Sequence, residues 1–325
     1  MMSRCFRVYL RIFFIGGIIV SAGVFAYAAW AGHLPVNVWV FRCPTAGYSP
    51  DTFLSYCDDP AYGDYEHEAL FTGLEAKDSL KSAEVLILGD SRAQFAFSTA
   101  AMDDYFQRSG MRYFNLAFGY GEQDLFPRKI IEIHDLHPRI VVINTDFFFY
   151  NAASRPALKL IGANDTQPTL GGQVRKLAQA YHRDLCTRPD SALAGAICSN
   201  GSGGQFKSSR TGRMTNINPA ISRRYPTAEA AGAQPANAEL ILSNARAFKA
   251  MLDARGARMV LTVAPFSRTD FTMAERISAD LGVAFIRIPA EGYETFDTNH
   301  LDRESAERWS RRLLEELGPI LRQVP

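Results

Sequence analysis

A serine lies where an apolar segment changes into a helix-like one, in the stretch VLILGDSRAQFAF at residues 85–97. Ser91 in this position is either a helix N-cap or a nucleophile that a strand-to-helix turn presents above a sheet edge. The tripeptide Gly89-Asp90-Ser91 does not decide between the two roles. Nucleophilic catalysis would also require a base, an acid that orients the base, and donors for an oxyanion.

A second segment, YETFDTNHLDRESAERW, supplies candidates for the base and the acid. His300 would take the proton of Ser91, and Asp297 would fix the tautomer of the imidazole. Alternatively, Asp297 or Asp302 caps the final helix and His300 is incidental. Loops at the carboxyl ends of parallel strands share one edge of a sheet, so both segments are expected to meet there. The sequence therefore predicts a Ser91–His300–Asp297 triad.

The elements that would position this triad begin at about residue 81. Apolar strands alternate with amphipathic helices, a pattern that predicts a parallel sheet covered on both faces. The right-handed crossover rule then gives an α/β three-layer sandwich. The predicted strands lie in AEVLILGDS, MRYFNLAF, PRIVVINTD, ARMVLTVAP and VAFIRIP.

The Gly89-Asp90-Ser91 and Asp297-x-x-His300-Leu301 motifs resemble the first and last blocks of the SGNH, or GDSL-type, hydrolase family. The resemblance spans about residues 82–322. It implies a flavodoxin-like sandwich that hydrolyses or transfers acyl groups on esters, with no metal or organic cofactor. It also implies that the N–H groups of Ser91 and a second-block glycine form the oxyanion site.

The middle blocks of the family match less closely. In FNLAFGYGE, Gly119 is the preferred second-block glycine, with Gly121 as the alternative. The third block, usually Gly-x-Asn-Asp, is replaced by aromatic residues in VVINTDFFFYN. Asn144 or Asn151 is the candidate for the missing oxyanion donor. The role of Arg92 stays open between a structural ion pair and a contact to an anionic substrate.

Residues 151–237 interrupt the alternation and are polar and rich in Gly, Ser and Pro. The segment SNGSGGQFKSSRTGR is not a phosphate-binding loop, because Phe206 stands where such a loop requires Gly before its Lys. We expect a surface insertion whose basic side chains could meet an anionic glycan or headgroup. Those side chains are Lys207, Arg210, Arg213, Arg223 and Arg224.

The chain has 325 residues and a formal net charge of +1, which gives no overall basic field for binding nucleic acid. Three arginines precede an uncharged apolar segment at residues 12–31. This segment is long enough to cross a bilayer, with residues 1–11 in the cytoplasm. A cleaved signal peptide is the alternative, but the segment exceeds the usual apolar region of one.

The cysteines indicate export. Beyond the apolar segment, Cys43 and Cys57 form one local pair, and Cys186 and Cys198 form another. Two local pairs predict two disulfides in an oxidising compartment, with Cys5 left free on the cytoplasmic side. No Cys-x-x-Cys spacing suggests zinc. Residues 32–80 are expected to be an irregular, disulfide-stapled lead-in to the domain at 81–325.

The layout is similar to that of membrane-anchored SGNH-like proteins that work with acyl-transfer machinery on cell-envelope polymers, such as those of alginate O-acetylation and teichoic acid D-alanylation. The sequence thus predicts a single-pass, periplasmic serine esterase or O-acyltransferase. Its substrate would be an acyl group, in particular acetyl, on an envelope glycan or lipid, and a membrane acyltransferase is a candidate partner. The alternative is a non-catalytic SGNH-like domain that binds glycan or scaffolds a membrane complex.

Overall fold

Strands and helices alternate from residue 85 onward, and smaller elements precede and interrupt this alternation. The computed structural model describes residues 14–23, 43–45, 47–58, 63–119, 121–163, 165–187, 198, 203–215, 223–230, 232 and 235–323. The strands are β1 (Thr52–Cys57), β2 (Gly63–Asp64), β3 (Val85–Gly89), β4 (Tyr113–Ala117), β5 (Ile140–Asn144), β6 (Gly204–Ser208), β7 (Met214–Thr215), β8 (Tyr225–Pro226), β9 (Arg258–Thr262), β10 (Ala284–Ile286) and β11 (Glu294–Thr295). The helices are α1 (Glu66–Phe71), α2 (Lys77–Ser82), α3 (Ser91–Ala96), α4 (Ala100–Ser109), α5 (Leu125–Ile133), α6 (Arg155–Ala163), α7 (Leu170–Thr187), α8 (Ala238–Asp253), α9 (Thr272–Leu281) and α10 (Arg303–Arg322).

The five apolar segments predicted as strands form one parallel sheet, in the order β10-β9-β5-β3-β4. Numbered along the chain, this order is 2-1-3-4-5, the order of flavodoxin-like folds. The α/β class and the parallel sheet are therefore confirmed. The strand order reverses at β3, so the end of β3 lies beside a crevice of the kind that binds ligands in such sheets.

Helices cover both faces of this sheet. Successive strand residues point to opposite faces, and on β3 they pack into two separate cores. Val85 and Ile87 join the core that contains Trp309 of α10. Leu86 and Leu88 join the core that contains Phe248 of α8. The continuous apolar runs of the sequence follow from this, because a strand buried on both faces has no polar side.

A second, antiparallel sheet joins the lead-in to the insertion, in the order β2-β1-β6-β7. Thr52 pairs with Ser208, and Cys57 pairs with Gly204. The Asn115 N–H on the edge strand β4 also donates to the Thr211 carbonyl at 2.8 Å. The lead-in is therefore not irregular as expected, since its described part contains β1, β2, α1 and α2. Its strand β1 pairs with β6, which lies about 150 residues further along the chain.

Both predicted disulfides are confirmed. The Cα atoms of Cys43 and Cys57 lie 5.9 Å apart, and those of Cys186 and Cys198 lie 5.6 Å apart. The first pair is buried in the core formed by β1 and its neighbours. The prediction that Cys5 is free lies outside the described residues.

Residues 14–23 form a helical segment whose side chains are exposed. Within the described part of the chain, no helix has the length and apolar character needed to span a membrane. The predicted anchor at 12–31 extends beyond residues 14–23 at both ends, into positions outside the described residues. The anchor stays a prediction.

Candidate active site

The turn between β3 and α3 presents Ser91 at the carboxyl edge of the sheet. Asp90 is the N-cap of α3, and its Oδ1 accepts a hydrogen bond from the Arg92 N–H at 3.0 Å. Gly89 has φ +152°, and a Cβ at this position would lie 2.6 Å from Cβ of Ala93 and 2.9 Å from Cβ of Asn144. Glycine is therefore required before the Asp-Ser pair. Ser91 is the first residue of the helix and is half-buried.

His300 lies against Ser91, and Asp297 lies against His300, which is the arrangement expected from the sequence. His300 Nε2 is 2.8 Å from Ser91 Oγ, and His300 Nδ1 is 2.6 Å from Asp297 Oδ2. The other carboxylate oxygen of Asp297 accepts from the backbone N–H groups of Asn299 at 3.0 Å and His300 at 2.8 Å. These distances are those of a serine, a base and an orienting acid joined in one hydrogen-bonded chain.

The surroundings of Asp297 favour its charged form. Partial burial raises the pKa of this carboxyl group, but the hydrogen bond and charge of His300 and the two backbone N–H groups outweigh burial, so the pKa lies below its usual value. The His300 ring packs against Phe95 and Phe296, with centroid distances of 4.7 and 5.6 Å. The ring is thus fixed by contacts on its faces as well as at both nitrogens.

Asp302, and not Asp297, caps the final helix. Asp302 is the N-cap of α10, and its Oδ1 accepts from the Ser305 N–H at 2.7 Å. The two acids of this segment therefore have separate roles, one in the cap and the other in the contact with His300.

The loop that carries the acid and the base has a constrained backbone. Thr298 has φ +74°, a conformation that β-branched residues rarely adopt. The carbonyl of Thr298 accepts from the Ser267 N–H at 3.2 Å, and Oδ1 of Asn299 accepts from Arg92 Nη2 at 3.2 Å. The loop is therefore held from the segment after β9 on one side and from α3 on the other.

The contacts of Arg92 support the structural interpretation of this residue. Its guanidinium group forms an ion pair with Asp146, just after β5, and lies 3.9 Å from the centroid of the Phe266 ring. Both charged side chains are 13% exposed. Sequence reasoning did not find Asp146 or Asn299 as partners, because neither stands at a helical or strand spacing from Arg92.

The predicted oxyanion donor Gly119 is engaged with a carboxylate. Its N–H donates to Glu66 Oε1 at 3.3 Å. The other oxygen of Glu66 accepts from Gln94 Nε2 at 2.9 Å and lies 3.4 Å from Lys207 Nζ. In this arrangement the Gly119 N–H points toward Glu66. Its role as an oxyanion donor stays a prediction.

Lys207 is the cation of this cluster, and the expectation that it lies on the surface is wrong. Its side chain is 0% exposed, and Nζ donates to the Ala117 carbonyl at 2.7 Å. Burial lowers the pKa of Lys207, and the neighbouring Glu66 acts in the opposite direction. Lys207 therefore ties β6 of the insertion to the end of β4, within the same buried cluster as Glu66. Of the other basic residues expected to meet an anion, Arg210 is exposed, with 78% of its side chain accessible.

The two asparagines proposed to replace the third-block donor have other contacts. Asn144 is fully buried, its Oδ1 accepts from the Ala264 N–H at 2.7 Å, and its Nδ2 donates to Asp90 Oδ1 at 3.5 Å. The N–H of Asn151 donates to Asp124 Oδ1 at 2.7 Å. Asn144 thus connects the turn that contains Ser91 to the segment after β9.

The buried His67, which sequence reasoning missed, lies in a network of acids. His67 Nδ1 is 2.8 Å from Asp64 Oδ2, and Nε2 is 3.0 Å from Glu122 Oε2. Burial lowers the pKa of His67, but the hydrogen bonds to the two acids outweigh it and raise the pKa to about 9. The available signal was the acid-rich sequence DYEHE around His67. This imidazolium joins the lead-in to the loop after β4.

One group of side chains in the described residues has the proximity expected of metal ligands. The candidate ligand atoms of His182, Cys186 and Cys198 lie within 4.8 Å of one another. Both cysteines are joined in a disulfide, so neither offers the thiolate that a metal requires.

A scan against protein-family models gave no match for this chain, and a search of curated proteins gave none either.

Proposed function

We propose that the protein is a serine-dependent acyl-ester hydrolase or O-acyltransferase of the SGNH type. The single observation that carries this proposal is the continuous chain from Ser91 Oγ through the His300 imidazole to Asp297, with distances of 2.8 and 2.6 Å. The position of Ser91 beside the strand-order reversal of a parallel sheet supports it, because such crevices bind ligands.

In the proposed reaction, Ser91 Oγ attacks the carbonyl carbon of an ester while His300 Nε2 takes the hydroxyl proton. The tetrahedral intermediate collapses, the C–O bond to the leaving alcohol breaks, and His300 donates its proton to that alcohol. Water or an acceptor hydroxyl then attacks the acyl-Ser91 ester, again losing its proton to His300. The bond between the acyl carbon and Ser91 Oγ then breaks, His300 donates its proton to Oγ, and either an acid or a new ester is released. Asp297 stabilises the imidazolium in both halves.

The oxyanion of each intermediate would be bound by the N–H groups of Ser91 and Gly119. The Ser91 N–H is suited to this because the first N–H groups of a helix have no acceptor within the helix. The Gly119 N–H would first have to leave Glu66, to which its hydrogen bond is 3.3 Å long. Loss of one oxyanion donor typically lowers the rate by about 10²–10³-fold, so we propose a slow or strongly substrate-dependent enzyme.

We further propose that the enzyme works outside the cytoplasm, on acyl groups (in particular acetyl) of a cell-envelope glycan or lipid. The two disulfides support an oxidising compartment. An N-terminal membrane anchor at 12–31 and a membrane acyltransferase partner complete this proposal and follow from the sequence layout.

The proposal is tested by turnover of p-nitrophenyl acetate by the full-length protein and by its Ser91→Ala and His300→Ala variants. We expect each single variant to lose most of the turnover and the double variant to be little worse, because triad members act as a unit. Full activity in Ser91→Ala would overturn the proposal.

A second candidate function, a non-catalytic domain that binds glycan, is favoured by one observation. The Gly119 N–H is held by Glu66 and the candidate Asn144 is held by Asp90 and Ala264. If the wild-type protein neither turns over esters nor reacts with serine-directed probes, this second candidate becomes the better account.

A further inference from the structure

A cavity of about 600 Å³ opens beside the triad, between α3, β7 and the start of α10. This volume is in the usual range for small-molecule sites. We call it the Arg224 cavity. The lining residues that matter here are Phe95, Arg213, Thr215, Arg224, Leu301 and Glu304.

One residue that lines the Arg224 cavity also contacts His300, the proposed base of the triad. The Phe95 ring lines the cavity, and its centroid is 4.7 Å from that of the His300 ring. Leu301, which also lines the cavity, directly follows His300 in the chain. Ser91, Asp297 and His300 do not themselves line the cavity, so a group bound there is one side chain, Phe95, away from the residue proposed to exchange a proton with the alcohol part of an ester.

The charges around the cavity are matched. Arg224 lies 3.1 Å from Glu294, 3.4 Å from Asp302 and 3.5 Å from Glu304. Arg213, which also lines the cavity, forms an ion pair with Asp103. The lining thus contains both guanidinium donors and carboxylate acceptors in equal number: Arg213, Arg224 and Arg303, and Asp302, Glu304 and Glu307.

Three polar atoms of lining residues are shielded from solvent and have no hydrogen-bond partner among the described residues: Arg213 Nε, Thr215 Oγ1 and Asp302 Oδ2. Of the three, Thr215 Oγ1 is the hydroxyl. An unpaired buried hydroxyl is unfavourable, and a rotation of the Thr215 side chain that turns Oγ1 into the cavity would let a ligand hydroxyl satisfy it.

We propose that the Arg224 cavity binds a neutral, polyhydroxylated sugar unit, which is the alcohol part of the ester substrate or of the acyl acceptor. Each sugar hydroxyl both donates and accepts hydrogen bonds, as a lining of paired guanidinium and carboxylate groups requires. An alkyl chain would cover these charged groups without hydrogen-bonding them, which is costly. This inference rests on the proposed function, and it selects a glycan over a lipid as the substrate.

The test compares a sugar ester with an ester that has no sugar. Thr215→Leu places an apolar side chain in the cavity, and Thr187→Leu, at an exposed position of α7, is the matched control. We expect Thr215→Leu to lower kcat/KM for 6-O-acetylglucose by about tenfold or more, mainly through KM, since a pocket contact is typically worth 10–200-fold. Turnover of p-nitrophenyl acetate should change less than twofold, and Thr187→Leu should change neither.

Equal effects of Thr215→Leu on the two esters, or no effect on the sugar ester, would overturn the inference. Faster wild-type turnover of tributyrin, or of O-acetylglucuronate, than of 6-O-acetylglucose would also overturn it, because these substrates represent a lipid and an anionic sugar.

A failure of the proposed function is distinguishable from a failure of this inference. If the wild-type protein hydrolyses no ester, titration calorimetry with cellobiose still tests the cavity directly. Binding that Thr215→Leu weakens and Thr187→Leu preserves supports a sugar site. No binding by the wild type, or equal binding by Thr215→Leu, overturns it.

Discussion

A hydrogen bond of 3.2 Å joins Arg92 Nη2 to Asn299 Oδ1. It links the residue that follows the candidate nucleophile to the residue that precedes the candidate base. Since Arg92 is also paired with Asp146 and stacked on Phe266, its guanidinium group is a fixed point to which the Asp297–His300 loop is attached. We infer that Arg92 is a positioning residue for the triad.

Arg92→Met retains the apolar stem of the side chain and removes its charge and donors. If Arg92 positions the loop, kcat on p-nitrophenyl acetate should fall by about 10–10²-fold with KM nearly unchanged, because a displacement of about 1 Å costs this much. Asn299→Ala removes the same hydrogen bond from the other end. The double variant should therefore be little worse than Arg92→Met. Strictly multiplicative losses, or a fall in thermal stability with kcat unchanged, would contradict the positioning role.

The two acids near His300 are expected to respond differently to substitution. Asp297→Asn should lower kcat by about 10³–10⁴-fold, since an amide does not stabilise the imidazolium and favours the wrong tautomer. Asp302→Ala should leave kcat on p-nitrophenyl acetate, which has no sugar, nearly unchanged and lower the free energy of unfolding by about 1 kcal/mol, because it removes a helix N-cap. Steady-state kinetics and urea denaturation measure both. Comparable kinetic effects of the two variants would contradict the assignment.

The buried His67 should make the stability depend on pH. Its pKa is about 9 in the folded protein against an ordinary value of 6.5. The stabilisation is fully present below pH 6.5 and is lost as the pH rises toward 9, because in that interval the folded state retains a proton that the unfolded state has released. Urea denaturation between pH 6 and 9 should show a decline in the free energy of unfolding that is smaller in His67→Gln. His137→Gln, which changes a side chain that is 58% exposed, is the control and should keep the wild-type decline.

The two disulfides close loops of similar length, with sequence separations of 14 and 12 residues. The loop-closure entropy of each is worth about 3 kcal/mol. Cys43 and Cys57 are also buried in the core, so replacing both with serine should destabilise the protein more than replacing Cys186 and Cys198. Thermal unfolding of the two double variants measures the difference. A larger loss for the Cys186/Cys198 variant would contradict this expectation.

The parallel sheet was predictable because its strands are buried on both faces and are therefore continuous apolar runs, such as VLILG and IVVIN. The meeting of Ser91 with His300 was predictable because Ser91 follows β3 and His300 lies in the segment after β10, the last strand of the parallel sheet, although the short β11, which pairs antiparallel with β8, comes between β10 and His300. The pairing of β1 with β6 was not, since GQFKS has no apolar pattern and the burial of Lys207 depends on a partner, Glu66, far away in the sequence. The contact between Gly119 and Glu66 was not predictable either, because the tertiary packing of segments that are distant in the sequence determines it.

Covalent labelling by a fluorophosphonate probe, which reacts with an activated serine hydroxyl, tests directly whether Ser91 is a nucleophile. The full-length wild-type protein should be labelled, and peptide mapping should place the label on Ser91. Ser91→Ala should not be labelled, and His300→Ala should be labelled far more slowly, because the base that removes the Ser91 proton is missing. A wild-type protein that is folded yet unlabelled, or equal labelling of wild type and Ser91→Ala, would contradict the account.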